Sequence, residues 1–235
     1  MRPPQRLART AGVFWLIVGI FAFFAVYSRD EVYVPGDAIA TARNVAANTG
    51  LVHNGFVADL VQATFFVFTA MALYLLLKHV NKNVARAMVT FVAISVAIMC
   101  LNLVHQLGAL LVATDTAYAS TLGAQGSGAL VLLMLDLQHY GVLIAQIFFG
   151  LWLLPLGYLV LASRMFPRVL GVLLVIGCAG YLVDTSTRLL LPNLGTTLTP
   201  FLTAPAAVAE IAMLLWLIVK GAGAPRQDGQ VLAAA

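Results

Sequence analysis

The chain has 235 residues, of which 62% are hydrophobic and only 9% charged, and its mean hydropathy is +0.97. That composition excludes an ordinary water-soluble domain, and a net charge of +4 held in short clusters without interleaved aromatics argues against a nucleic-acid partner. It implies an integral membrane protein, since crossing a hydrocarbon core of about 30 Å takes roughly 20 apolar helical residues.

In chain order, MRPPQRLART is followed by a first apolar run at 11–27. Basic-then-apolar order resembles a signal peptide. The run is too long for one, however, and AVYS lacks the small residue that cleavage needs, so it reads as a retained span. Next, VPGDAIATARNVAANTG places Asp37 to cap a short interfacial helix and Gly50 to stop it. Further spans are predicted at 54–77, 85–113, 128–162, 168–191 and 202–220. The Ser/Thr/Gly-rich stretch at 114–128 reads as a polar loop. The fourth span, at about 35 residues and roughly 50 Å, must tilt, bend or project. Pro155, Gly141, Gly150 and Gly157 offer places to bend or pack closely. No internal repeat between the halves signals an inverted-repeat transporter.

The expected fold is therefore all-α: one polytopic bundle of six transmembrane helices over 1–221, followed by a short tail at 222–235. With six spans, Arg2, Arg6, Arg9, Lys78, Lys82, Arg86, Arg164, Arg168, Lys220 and Arg226 share one side, against Arg29, Arg43 and Arg188 on the other. By the positive-inside rule both termini are cytoplasmic.

Depth then groups the polar residues of the spans. Asp59, Asn102, His105, Asp136, His139, Asp184 and Arg188 fall in the outer halves of their helices, with Glu210 near mid-span. Ser95, Asn102, His105 and Gln106 form one stripe, Asp136, His139, Gln146 and Gly150 another, and Gly177, Gly180, Asp184 and Arg188 a third. Small and polar stripes face other helices. Four acids against one permanent in-membrane cation, Arg188, predict an acidic interior that binds or passes a proton, a cation or a small amphiphile. The i,i+3 spacing of Asp136 with His139, near His105, raises a divalent metal and a metal-dependent hydrolase as the alternative. A non-catalytic packing role is the simplest reading; no other cofactor is expected, and the bilayer is the expected partner. Cys100 and Cys178, inside apolar runs without C-x-x-C spacing, read as buried core residues.

The stretches VPGDAIATARNV, VADL, LDLQHYGVLIAQIFFGLWLLPLGYLVLASRMFPRVLGVLLVIGCAGYLVD and PAAVAEIAMLLWLIVKG resemble the bacterial multi-pass membrane family called domain of unknown function 4386. The likeness runs from about Arg6 to Gly221. It implies a six-helix protein of the bacterial inner membrane and supplies no reaction, ligand or catalytic residue.

Overall fold

The computed structural model describes residues 3–223. Its elements in order are α1 (Pro3–Asp30), α2 (Ala38–Ala47), α3 (Thr49–Leu77), α4 (Lys82–Thr114), α5 (Thr116–Leu151), α6 (Leu153–Ser163), α7 (Arg168–Leu190) and α8 (Pro192–Val219). Six helices are long and apolar enough to cross a membrane: α1, α3, α4, α5 continued by α6, α7 and α8. No strand occurs among the described residues. The tail expected at 222–235 lies outside the described residues from 224 onward.

Exposure is inverted relative to a soluble protein. Phe23, Leu101 and Phe201 are 73–78% exposed, whereas Asp59 and Asp184 are 3% and 0% exposed. Apolar side chains outward and acids inward are what a lipid solvent selects. Cys100 follows the outward pattern beside Leu101 and is exposed, contrary to expectation; Cys178 is buried as expected.

Local chemistry explains where the helices begin and end. Pro3 and Pro4 occupy the first turn of α1, where a missing N–H costs nothing. Asp37 caps α2, its Oδ1 accepting from the Ala40 N–H at 2.9 Å. Gly50 does not stop that helix. Asn48 does, donating both its backbone and its side-chain N–H to Asn44 O, and Gly50 lies inside α3.

The polar loop expected at 114–128 is also corrected. Asp115 Oδ1 accepts from the Ala117 N–H at 2.8 Å and starts a helix, in which the Ser120 and Thr121 hydroxyls donate to Ala117 O. Polar side chains that bond back to their own helix leave no hydropathy signal of it. The break falls at Gly123, with φ 69° and ψ 171°, a conformation open in practice only to glycine. Likewise α8 begins at Pro192 rather than near 202, with Thr196, Thr197 and Thr199 bonded back to preceding carbonyls. The overlong fourth span is interrupted one turn before its proline. Pro155 has no N–H for Leu151 O, and the helix is interrupted at Trp152.

The chain forms two compact units. The first comprises the described parts of 1–14, 68–92 and 148–235. In it α7 packs against both α6 and α8. The predicted stripe of α7 meets α8 rung by rung: Gly177 against Ala206, Gly180 against Leu202 O, Asp184 against Thr199 and Arg188 against Gly195. A Cβ on Gly177 would lie 2.8 Å from Ala206 Cα, so the two backbones pack as only small residues allow.

The second unit comprises 15–67 and 93–147. In it α4 and α5 approach at Gly141, which lies against the Asn102 amide, and α3 passes α1 at Gly55, against Ser28. A cluster that includes Val45 of α2, Ala109 of α4 and Leu135 of α5 joins these elements.

Candidate functional site

In the second unit the carboxylate of Asp59, on α3, accepts from Arg29 Nη1 at the end of α1, 2.5 Å away. The α1–α3 approach at Gly55 brings the two ends together. The expectation of a single in-membrane cation is corrected here: Arg29, assigned to a loop, reaches the acid of the next span. An acid inside a span needs a partner, but the sequence did not single out Arg29, since Arg43 and Lys78 both stand nearer in sequence to the helix that carries Asp59.

Asp136 and His139, on α5, are both engaged by Tyr33 of the α1–α2 connection. The phenol donates to Asp136 Oδ1 at 2.6 Å, and its ring stacks on His139 with centroids 6.2 Å apart. Burial, then the bond and charge of Asp136, hold the Tyr33 proton more tightly than in an ordinary phenol. No feature of the sequence around Tyr33 pointed to this role.

Asn102 and His105 lie together on α4. Asn102 Nδ2 donates to Gln138 O at 2.7 Å, so its Oδ1 is the acceptor for His105 Nδ1, 3.1 Å away. One turn on, the buried Gln106 donates from Nε2 to Val52 O at 3.2 Å. Its Oε1 is buried and has no donor among the described residues.

Of these groups Arg29, Tyr33, Gln106 and His139 border a cavity of about 200 Å³, whereas Asp59, Asn102, His105 and Asp136 are not in its lining. Arg29, Asp30, Tyr33, Gln106, Gln138 and His139 supply polar wall, and Val26, Val32, Val45, Val52, Ala109, Leu135 and Val142 the apolar remainder. Gln138 stood in the sequence as a residue of no assigned role. It is buried and lines the cavity.

Asp184, Arg188 and Glu210 belong to the first unit. Asp184 Oδ1 accepts from the Thr199 hydroxyl at 2.5 Å, Arg188 lies against Gly195, and Glu210 Oε1 accepts from the Tyr181 hydroxyl at 3.1 Å. The eight predicted residues thus divide five and three between the units. Among the described residues no three His, Cys, Asp or Glu side chains are grouped to hold a metal ion. His105 pairs with Asn102 within α4 and Asp136 with Tyr33 of the α1–α2 connection, so the polar groups that suggested ligands are engaged in hydrogen bonds.

Six apolar helices with polar groups turned inward define a multi-pass α-helical membrane protein. The chain belongs to the family described as Domain of unknown function (DUF4386), whose match covers residues 10–221. An uncharacterized protein of Archaeoglobus fulgidus is 31% identical over 157 residues, covering 66% of this chain and 76% of that protein. No solved structure matches the chain.

Proposed function

We propose that the protein binds a small amphiphile in the second unit's cavity, with both termini cytoplasmic and the membrane the bacterial inner membrane. The observation that carries this reading is the cavity itself. A volume of about 200 Å³ exceeds the roughly 150 Å³ of an apolar cavity that admits benzene, so a ring with one polar substituent fits. Its walls combine aliphatic side chains with a few polar groups, the usual make-up of a small-molecule site. The Arg29 guanidinium has donors beyond the one that Asp59 occupies, and Gln106 has an acceptor without a donor. A ligand hydroxyl answers both, its oxygen accepting from Arg29 and its O–H donating to Gln106 Oε1. Orientation rests on the ten-to-three cation count.

The test is ¹⁹F NMR of the full chain in lipid nanodiscs with 4-fluorophenol and its donor-free counterpart 4-fluorotoluene. Wild type should give a shifted bound resonance, stronger for the phenol. Val142→Phe, which fills the cavity, should abolish it, and Gln106→Leu should remove the preference for the phenol. Absence of a bound resonance, or one unchanged in Val142→Phe, overturns the proposal.

A further inference from the structure

A second concavity lies at the α3–α4 end of the first unit, with a volume of about 530 Å³. Its walls are Met71, Tyr74 and Leu75 of α3 and Arg86, Val89 and Thr90 of α4. Met71 and Leu75 are exposed, so the groove has the apolar surface that an acyl chain covers. Its charged groups have one sign. Arg86 is exposed and its guanidinium has no hydrogen-bond or ion-pair partner among the described residues. Lys78 places its ammonium over the Tyr74 ring, 5.8 Å from the centroid, at the edge of the same groove. Lys82 stands one helical turn before Arg86, also exposed. Between Asp59 and Asp115 the chain contains no acidic residue at all. Nothing within this hairpin therefore neutralises its three cations, Lys78, Lys82 and Arg86.

From this juxtaposition we infer that the groove is a binding site for one anionic phospholipid, its phosphate held by Arg86 and Lys78 and an acyl chain laid along Met71, Leu75 and Val89. A guanidinium without a protein partner offers a planar fork of donors suited to phosphate oxygens. The ammonium over Tyr74 adds a second charge, and the aromatic ring sits where interfacial tyrosines meet headgroups. Basic recesses between helices at the membrane surface are a general form of lipid headgroup site. A phosphate without the acyl chain would leave the apolar wall bare, which is why the occupant is a lipid rather than a soluble anion.

Native mass spectrometry of the detergent-purified full chain tests this with phosphatidylglycerol, phosphatidylcholine and glycerol phosphate as probes. Wild type should retain one phosphatidylglycerol in preference to phosphatidylcholine, and glycerol phosphate should not displace it. Arg86→Gln should weaken that retention about tenfold, as loss of a charge-assisted bond to phosphate implies. Lys78→Gln should weaken it less. Arg168→Gln, an equal charge change outside the groove, should leave it within about twofold, the scale of nonspecific surface attraction. Since Arg86 and Lys78 are exposed, neither change removes core packing, and Leu75→Trp gives an independent test by obstructing the acyl wall. Equal retention of the two lipids, displacement by glycerol phosphate, or equal losses in Arg86→Gln and Arg168→Gln would each overturn the site.

Discussion

Arg29 and Asp59 solve a problem that any acid inside a membrane helix poses. A carboxylate there must be paired, protonated or hydrated. Asp59 is paired, and the pair is nearly dry on the acid side, with side-chain exposures of 18% for Arg29 and 4% for Asp59. Removing one partner of such a pair leaves the other charged and unmatched. Asp59→Asn should cost about 2–4 kcal/mol in unfolding free energy measured in mixed micelles, somewhat softened by the solvent that reaches Arg29. Replacing both, as Arg29→Met with Asp59→Leu, should recover much of that loss, because neither charge is then stranded. A double variant no more stable than Asp59→Asn would mean the pair does more than neutralise itself. Tyr33 makes a second prediction at this scale. Its proton is held more tightly when folded than when unfolded, so its contribution to stability is complete below about pH 10 and erodes as alkali deprotonates the unfolded chain first. Melting temperatures followed from pH 7 to 11 should fall more steeply for wild type than for Tyr33→Phe. Parallel curves would refute the assignment.

At the scale of elements, what periodicity could reveal was which face of a helix turns inward, and it did so for α7. The stripe of Gly177, Gly180, Asp184 and Arg188 is the face that meets α8. Helix ends were less legible. Hydropathy sees polarity, whereas Asp115, the threonines of α8 and Asn48 act through bonds to nearby backbone, which make polar stretches helical or end a helix without glycine. The close α7–α8 packing makes a prediction with an internal control. Gly177→Leu should destabilise the protein by at least about 1–3 kcal/mol, the usual cost of overpacking, because even a Cβ there meets the Ala206 backbone. Gly19→Leu on α1, where a Cβ would meet nothing within 4 Å, should stay within about 0.5 kcal/mol of wild type. Thermal unfolding of both variants in one detergent decides it, and equal melting temperatures would contradict the packing described.

For the whole molecule, composition was enough to infer a membrane protein and the apolar runs along the chain its six crossings, because lipid permits few backbone solutions and each needs a long apolar run. The candidate site was only partly readable. Asp59, Asn102, His105, Asp136 and His139 stood out as costly residues inside spans. Arg29 and Tyr33 did not, since they lie at a helix end and in a connection where charge and aromaticity are ordinary. Nor could a wheel projection show that Asp184, Arg188 and Glu210 belong to a different compact unit from the other five, because depth along a span says nothing about which neighbours a helix takes. The central claim is that the second unit's cavity holds a small amphiphile. An experimental density map of the full chain in native lipid, sharp enough to separate a water from a larger molecule, tests it most directly. The account predicts non-protein density bigger than a water among Val52, Gln106, Leu135 and Val142; a cavity collapsed by its own side chains, or holding only waters, would contradict it.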